Sequence, residues 1–267
     1  MKTLQPGCHP DDFFLKLSTA AQPVLLLDYD GTLAPFHVNP QEAIPWPGVC
    51  EILDSLMAQH DTRVVIVSGR WTRDLVPLLR LRQTPEIWGS HGWERRYPDG
   101  RVEITPPDER ALAGLVEADS WIEKIHALGG RSESKPAGLA MHWRGLNARA
   151  IDNIMKTVTE HWEMQARDTG LALHAFDGGI ELRVPGRNKG DAVRTLRREL
   201  PQAFFAYLGD DVTDEDAFNA LAARDLGVLM RAELRDTAAG LWLTPPYELL
   251  DFLRRWLATR EAYLAHR

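Results

Sequence analysis

The sequence predicts an α/β protein built on a parallel sheet, with a smaller α+β unit inserted into it. From Pro23 onward, short apolar β-rich runs alternate with helical stretches, the pattern of βαβ units. That alternation stops at Thr105-Pro106-Pro107-Asp108 and resumes after Val184-Pro185-Gly186-Arg187. The 267 residues, 44% of them apolar, suffice for one large domain or two smaller ones, each with a core of its own. The expected division is residues 1–106 and 185–267 for the parallel unit and 107–184 for the insertion.

Taken in order, Val24–Leu27 is a four-residue apolar strand, followed by a helix near Gly48–His60. The strand Arg63–Val67, a helix near Thr72–Leu81 and the strand Glu86–Gly89 continue the alternation. Arg95–Tyr97 and Arg101–Ile104 read as a hairpin across Pro98-Asp99-Gly100. In the insertion, Asp108 is placed to cap one helix running to about Leu128. Ser132–Arg144 reads as two strands around Pro136–Gly138, and a long helix follows near Ala148–Arg167. Leu171–Phe176 and Ile180–Val184 form a second hairpin across Asp177-Gly178-Gly179. The parallel pattern then returns with a helix near Asn188–Leu200, the strand Phe204–Leu208, a helix near Glu215–Ala223 and the strand Leu226–Leu229. In the last helix, about Pro246 to Tyr263, Leu249, Leu250, Leu253, Trp256 and Leu257 share one face and predict core packing.

The formal charge of −7 argues against general nucleic-acid binding, which needs a basic face, but leaves room for an anionic small molecule. Two cysteines, Cys8 and Cys50, make neither a disulfide framework nor a metal spacing. With no signal-peptide core and no run of membrane-spanning length, the expectation is a cytoplasmic monomer without membrane or nucleic-acid partners.

Four apolar strands or helix starts are followed by chemistry-bearing residues: Asp28-Tyr29-Asp30-Gly31-Thr32, Ser68-Gly69-Arg70, Asn188-Lys189-Gly190, and Gly209-Asp210-Asp211-Val212-Thr213-Asp214. In a parallel sheet these can converge at the carboxyl edge of the strands. Asp28 and Asp30 side by side need a cation or a shared proton. Mg²⁺ takes one or two carboxylates, waters and a substrate phosphate, and Asp28 with Asp210 fits that demand. Ser68 and Lys189 suit phosphoryl oxygens, and a carboxylate can itself attack phosphorus. Each element alone has another reading. Asp-x-Asp also holds metal–nucleotides in glycosyltransferases, Ser68 and the Asp210–Asp214 group can be helix caps, and Lys189 can be a solvated helix lysine. No Gly-Lys-Ser/Thr loop, Gly-x-Gly-x-x-Gly, EF-hand loop or His-Glu-x-x-His occurs, although the chain has nine histidines.

In this order, Asp28-Tyr29-Asp30-Gly31-Thr32-Leu33, Ser68, Lys189 and Gly209-Asp210-Asp211-x-x-Asp214 resemble the four motifs of the haloacid dehalogenase superfamily. The resemblance implies a Rossmann-like core with an inserted C2-type cap, Asp28 as nucleophile and Asp30 as acid and base. It also implies Mg²⁺ held by Asp28, the Asp30 carbonyl and Asp210, with Asp211 and Asp214 near the metal. Within that superfamily the chain resembles the trehalose-6-phosphate phosphatase family. Ser90-His91-Gly92-Trp93-Glu94, Glu133-Ser134-Lys135, Met141-His142-Trp143-Arg144 and Gly179–Pro185 carry the likeness. Trp143 stands where tyrosine is usual, and an extra valine precedes Pro185. By this resemblance Gly69, Arg70, His91, Glu133, Lys135, His142, Arg144, Glu181 and Asn188 contact a small sugar-phosphate substrate. A related phosphatase for sucrose phosphate or for a glycosylglycerol or glycosylglycerate phosphate is the neighbouring reading, and a phosphohexomutase a further one.

Overall fold

A computed structural model describes residues 1–176 and 178–266. Along the chain, β1 (Lys2–Thr3) and α1 (Pro10–Leu17) precede β2 (Pro23–Leu27), α2 (Val49–Ala58), β3 (Arg63–Val67), α3 (Thr72–Leu79) and β4 (Glu86–Gly89). β5 (Glu94–Arg96) and β6 (Val102–Ile104) follow, then α4 (Glu109–Asp119), α5 (Ile122–His126), β7 (Arg131–Lys135) and β8 (Gly138–His142). α6 (Ala148–Thr169), β9 (Ala172–Phe176) and β10 (Gly179–Arg183) lead to α7 (Lys189–Glu199), β11 (Phe204–Gly209) and α8 (Glu215–Ala220). β12 (Leu226–Met230), β13 (Leu241–Leu243) and α9 (Tyr247–Ala265) close the described chain. Two compact units result: Met1–Glu103 with Asn188–Arg267, and Ile104–Arg187.

The first unit is a mixed α/β layer structure around a mostly parallel sheet. Among the described residues the sheet has nine strands in the order β1-β13-β12-β11-β2-β3-β4-β5-β6. The pairs from β13 through β12, β11, β2 and β3 to β4 are parallel, and β1 and β5 join antiparallel. Strand period two divides the apolar residues between the faces. Leu25, Leu27, Val64, Ile66 and Leu208 pack with α1, α2, α3 and α9, whereas Val24, Leu26, Val65, Phe205 and Tyr207 pack with α7 and α8. Both faces being covered, the strands read as continuous apolar runs. The α9 stripe lies in the core as its spacing predicts, with Leu249, Leu250, Leu253 and Trp256 buried and Leu257 partly so.

β1, α1 and β13 were not expected from the sequence. β1 and β13 are two and three residues long, too short for a periodic signal. α1 is anchored by Phe13, which stacks on Phe204 at a centroid distance of 5.0 Å. On α9, Arg260 is fully buried and reaches Asp61 at 2.6 and 3.0 Å.

The second unit packs α4, α5 and α6 on one face of a four-stranded antiparallel sheet in the order β7-β8-β10-β9. Leu139, Met141 and Leu182 turn inward, and Ile154, Val158 and Trp162 of α6 are buried in this unit. Asp108 caps α4 as expected, accepting from the Ala111 N–H at 2.9 Å. The single helix expected to run to Leu128 is instead two. α4 stops at Ser120, whose hydroxyl donates back to the Glu117 carbonyl at 2.6 Å and draws it from the helix ladder. Gly114 is needed for close packing on α6, because a Cβ there would come within 2.5 Å of the Thr169 hydroxyl. Asp177, in the expected β9–β10 turn, lies outside the described residues.

Candidate active site

The sheet register assembles the site. Leu27 pairs with Leu208, and the Asp28 N–H donates to the Leu208 carbonyl at 2.8 Å. Asp28 therefore stands beside Gly209-Asp210, although 180 residues separate them in sequence. Ser68 directly follows β3, which pairs with the other edge of β2, and Lys189 is the first residue of α7. The expected convergence at the carboxyl edge is present.

Lys189 is the hub. Its Nζ donates to Asp28 Oδ1 and to Asp214 Oδ1, each at 2.7 Å, and all three side chains are buried. Asp214 takes four donors: Lys189, the Tyr207 hydroxyl at 2.6 Å, and the N–H groups of Asp210 and Asp211 at 3.1 and 2.9 Å. Gly209 makes room for this carboxylate, since a Cβ there would lie 2.4 Å from its carbon. Carboxylate oxygens of Asp28, Asp210 and Asp214 lie within 4.8 Å of one another. Burial pushes the Asp28 carboxyl up to about 7, with Asp214 and Asp30 adding to the rise and Lys189 opposing it. Burial also raises Asp210 well above the ordinary carboxylate range, helped by Asp28 and Asp214. Burial works against the Lys189 ammonium, but Asp214 and Asp28 outweigh it and hold its pKa above the usual lysine value.

Asp210 fits a cation that these carboxylates would share. Its Oδ1 is buried and meets no hydrogen-bond partner among the described residues. Its carboxylate lies over Gly31, where a Cβ would fall 2.2 Å from Oδ2 and where φ is +80°. Glycine is required there both for space and for the left-handed turn. A hard divalent ion would supply the missing partner and relieve the crowding of negative charge. Asp30 and Asp211 lie outside the three-carboxylate group. Asp30 binds Arg70, and Asp211 caps the short turn Val212–Asp214 by accepting from the Val212 N–H at 2.7 Å.

The loops after β3 and β4 are interlaced around Ser68. Its Oγ accepts from the Arg70 N–H at 3.2 Å, and the His91 N–H donates to its carbonyl at 3.1 Å. Ser90, His91 and Gly92 have φ of 49°, 55° and 93°, three left-handed residues in succession. Non-glycine residues adopt that region at a cost, so the surroundings must hold them there. The turn lays the His91 ring on Gly69, whose absent Cβ would lie 2.6 Å from Nε2. Glu94 holds the same loop by accepting from the Thr72 N–H and hydroxyl at 2.9 and 2.7 Å. Asn188 fixes the start of α7: its N–H donates to Asp191 at 3.0 Å and its Oδ1 accepts from Arg194 at 3.0 Å.

In the second unit, strand pairing puts Glu133, Lys135, His142, Glu181, Arg183 and His174 on one sheet face. Lys135 donates to Glu181 at 2.9 Å, and His142 Nε2 lies 3.0 Å from Glu133. Gly138, Ala140 and Gly179 form a low centre between these groups. Arg144 follows β8 and lies over Gly178, with Nε 2.9 Å from where a Cβ would be. His174 and Arg183, 3.2 Å apart, were missed in the sequence, although their even spacing from Phe176 and Glu181 was a usable signal. Tyr207 and Arg235 were missed as well; Arg235 ion-pairs with Glu215 and donates to the Asp211 carbonyl at 2.6 Å.

The core architecture is that of a haloacid dehalogenase-like hydrolase from B. subtilis, to which the structure is similar at a TM-score of 0.58 and 15% identity, over 87% of this chain and 99% of that one. A model of the trehalose-phosphatase family matches residues 26–238, and the chain belongs to that family. It is 32% identical to a trehalose-phosphate phosphatase of Mycobacterium marinum over 89% of its own length and 62% of that protein. It is 29% identical to a Mycobacterium tuberculosis protein described as an uncharacterized glycosyl hydrolase, covering 94% of this chain and 19% of that one. The chain thus spans less than two thirds of these curated relatives. The structure resembles the C-terminal domain of the C. albicans trehalose-6-phosphate phosphatase at a TM-score of 0.76 and 22% identity, covering 97% and 99% of the two chains. Among the described residues no helix is long and apolar enough to cross a membrane.

Proposed function

We propose that this chain is a Mg²⁺-dependent phosphatase that hydrolyses trehalose 6-phosphate through an aspartyl-phosphate on Asp28. The observation that carries the reading is Lys189 bridging Asp28 and Asp214 at 2.7 Å beside Asp210. Asp28 and Asp210 would hold the metal, which neutralises phosphate charge when bound. Asp214, already accepting four hydrogen bonds, positions Lys189 and the Asp210–Asp211 backbone.

In the first step an Asp28 oxygen attacks phosphorus as the bond to the sugar oxygen breaks, and Asp30 gives that oxygen its proton. In the second, Asp30 takes a proton from water, whose oxygen attacks phosphorus and releases phosphate and the Asp28 carboxylate. The Ser68 hydroxyl and Lys189 ammonium donate to phosphoryl oxygens, a task that is mainly positioning and electrostatic stabilisation. Recognition of sugar hydroxyls is assigned to the charged face bearing Glu133, Lys135 and Glu181, and Gly69, His91, Arg144 and Asn188 complete the proposed contacts. A metal-dependent glycosyltransferase reading of Asp28-x-Asp30 leaves the Lys189 bridge without a task.

Release of phosphate should be measured on a panel of sugar phosphates with and without Mg²⁺. Trehalose 6-phosphate is expected to lead, with activity lost on chelation. Preference for sucrose phosphate would move the assignment to a neighbouring sugar phosphatase, and absence of phosphate release from every ester would remove it.

A further inference from the structure

We infer that Arg70 is the positioning residue for the proton carrier Asp30, not a contact for substrate; this rests on the phosphatase reading above. Arg70 Nε donates to Asp30 Oδ2 and Nη2 to Asp30 Oδ1, both at 2.6 Å. This is a two-armed pair that uses both carboxylate oxygens. The remaining arm is also committed, because Nη1 donates to the Pro40 carbonyl at 2.8 Å. The guanidinium carbon lies 5.6 Å from the centre of the Tyr29 ring, whose hydroxyl donates to the Ala43 carbonyl at 2.7 Å. Arg70 is thus held by the Pro40 carbonyl and beside the Tyr29 ring as well as by Asp30. Its side chain is 9% exposed, while that of Asp30 is 27% exposed. The more buried partner, Arg70, is the anchor, and Asp30 is the more open of the two.

The geometry fits what Asp30 must do twice. As a neutral acid, one oxygen carries the proton and only the other remains a good acceptor. The two-armed pair then relaxes to one arm, which holds the carboxyl in place while the protonated oxygen faces the leaving group. When the proton leaves for the sugar oxygen, the second arm can close again, and the reverse occurs when Asp30 takes a proton from water. A lysine lacks the planar fork for this exchange. Asp30 and Arg70 are 40 residues apart, so sequence spacing gives no hint of the pair.

The test is the dependence of kcat/KM on leaving-group pKa across a series of aryl phosphates, in saturating Mg²⁺. Such esters lack a sugar, so the slope is blind to sugar contacts. p-Nitrophenol leaves with little help, whereas phenol and sugar alcohols need a proton. Arg70→Ala and Arg70→Lys are each expected to lose only a few-fold on p-nitrophenyl phosphate but about 10²-fold on phenyl phosphate and trehalose 6-phosphate. The slope should steepen toward that of Asp30→Asn, and Arg70→Lys/Asp30→Asn should be no steeper than Asp30→Asn alone. Equal losses along the series, with KM raised, would make Arg70 a substrate contact and overturn the inference. Additive losses in the double variant would also overturn it. A wild-type protein active on these esters with an unchanged slope in the variants defeats the Arg70 assignment alone, whereas an inactive wild type defeats the phosphatase reading and the assignment with it. Should Arg70→Ala not fold, Arg70→Lys, which keeps the charge, carries the measurement.

Discussion

The two units bury charge to different degrees: every member of the first unit's cluster is buried, whereas the second unit's cluster grades from buried to partly open. In the first, the side chains of Asp28, Asp210, Asp214 and Lys189 are buried, and the register of β2 on β11 sets Asp28 beside Gly209-Asp210. In the second, Lys135 and Glu181 are paired and nearly buried, while Glu133 and His142 are partly open, on a sheet face around a floor of glycine and alanine. The buried set has one workable arrangement, and losing a member leaves a neighbour uncompensated. In the sheet-face set, Glu133 and His142 keep part of their surface open to water. Chemistry is expected to depend on the first and selectivity on the second.

The largest effect that would break this contrast is at Asp28, the proposed nucleophile. Asp28→Asn is expected to lower kcat by about 10⁴-fold or more while the circular dichroism spectrum is kept. Activity within tenfold of wild type would dissociate Asp28 from the chemistry. An intermediate effect sharpens the contrast. Glu133→Ala and Lys135→Ala should each cost about 10- to 100-fold in kcat/KM for trehalose 6-phosphate and less than about threefold for p-nitrophenyl phosphate. Equal losses on both would tie the second unit's face to chemistry.

The smallest effect is a link between metal and pH. Asp28 rises from an ordinary 3.8 to about 7 in the folded chain. Between those values the folded state binds more protons than the unfolded state, so this group's contribution to stability falls as pH rises through the interval. At pH 5 Asp28 is protonated and offers little to a cation; at pH 8 it is ionised and the cation relieves its burial. Mg²⁺ should therefore raise Tm by a few degrees at pH 8 and by about nothing at pH 5. Equal shifts at both pH values would exclude Asp28 from the metal's ligands.

The parallel sheet was legible because both its faces are covered: runs such as Val24–Leu27 are apolar throughout and end abruptly on polar residues. The same endings made Asp28, Ser68 and Asp210 readable. What could not be read was which side chains meet, whether near or far along the chain. Arg70 with Asp30 and Tyr207 with Asp214 depend on where side chains meet, which local periodicity does not encode. Asp211 and Asn188 show the other limit, since residues beside the proposed catalytic positions do local work at turn and helix starts. In the second unit the strands were legible, but the division of α4 from α5 turned on the Ser120 hydroxyl.

The pairing of β2 with β11 also bears on the order in which the molecule is made. During synthesis β2 emerges with β3 for a neighbour, and its other edge waits for β11, which lies beyond the whole insertion. Lys189 is likewise 161 residues from Asp28. The second unit is contiguous and its contacts are closer in sequence, so its chain is complete while the first unit still lacks α7 and β11. Asp28 is translated well before its ammonium partner Lys189, its neighbouring carboxylate Asp210 and its second β-partner, all of which lie beyond the insertion. A ribosome stalled before Lys189 holds a chain with Asp28 but no assembled site.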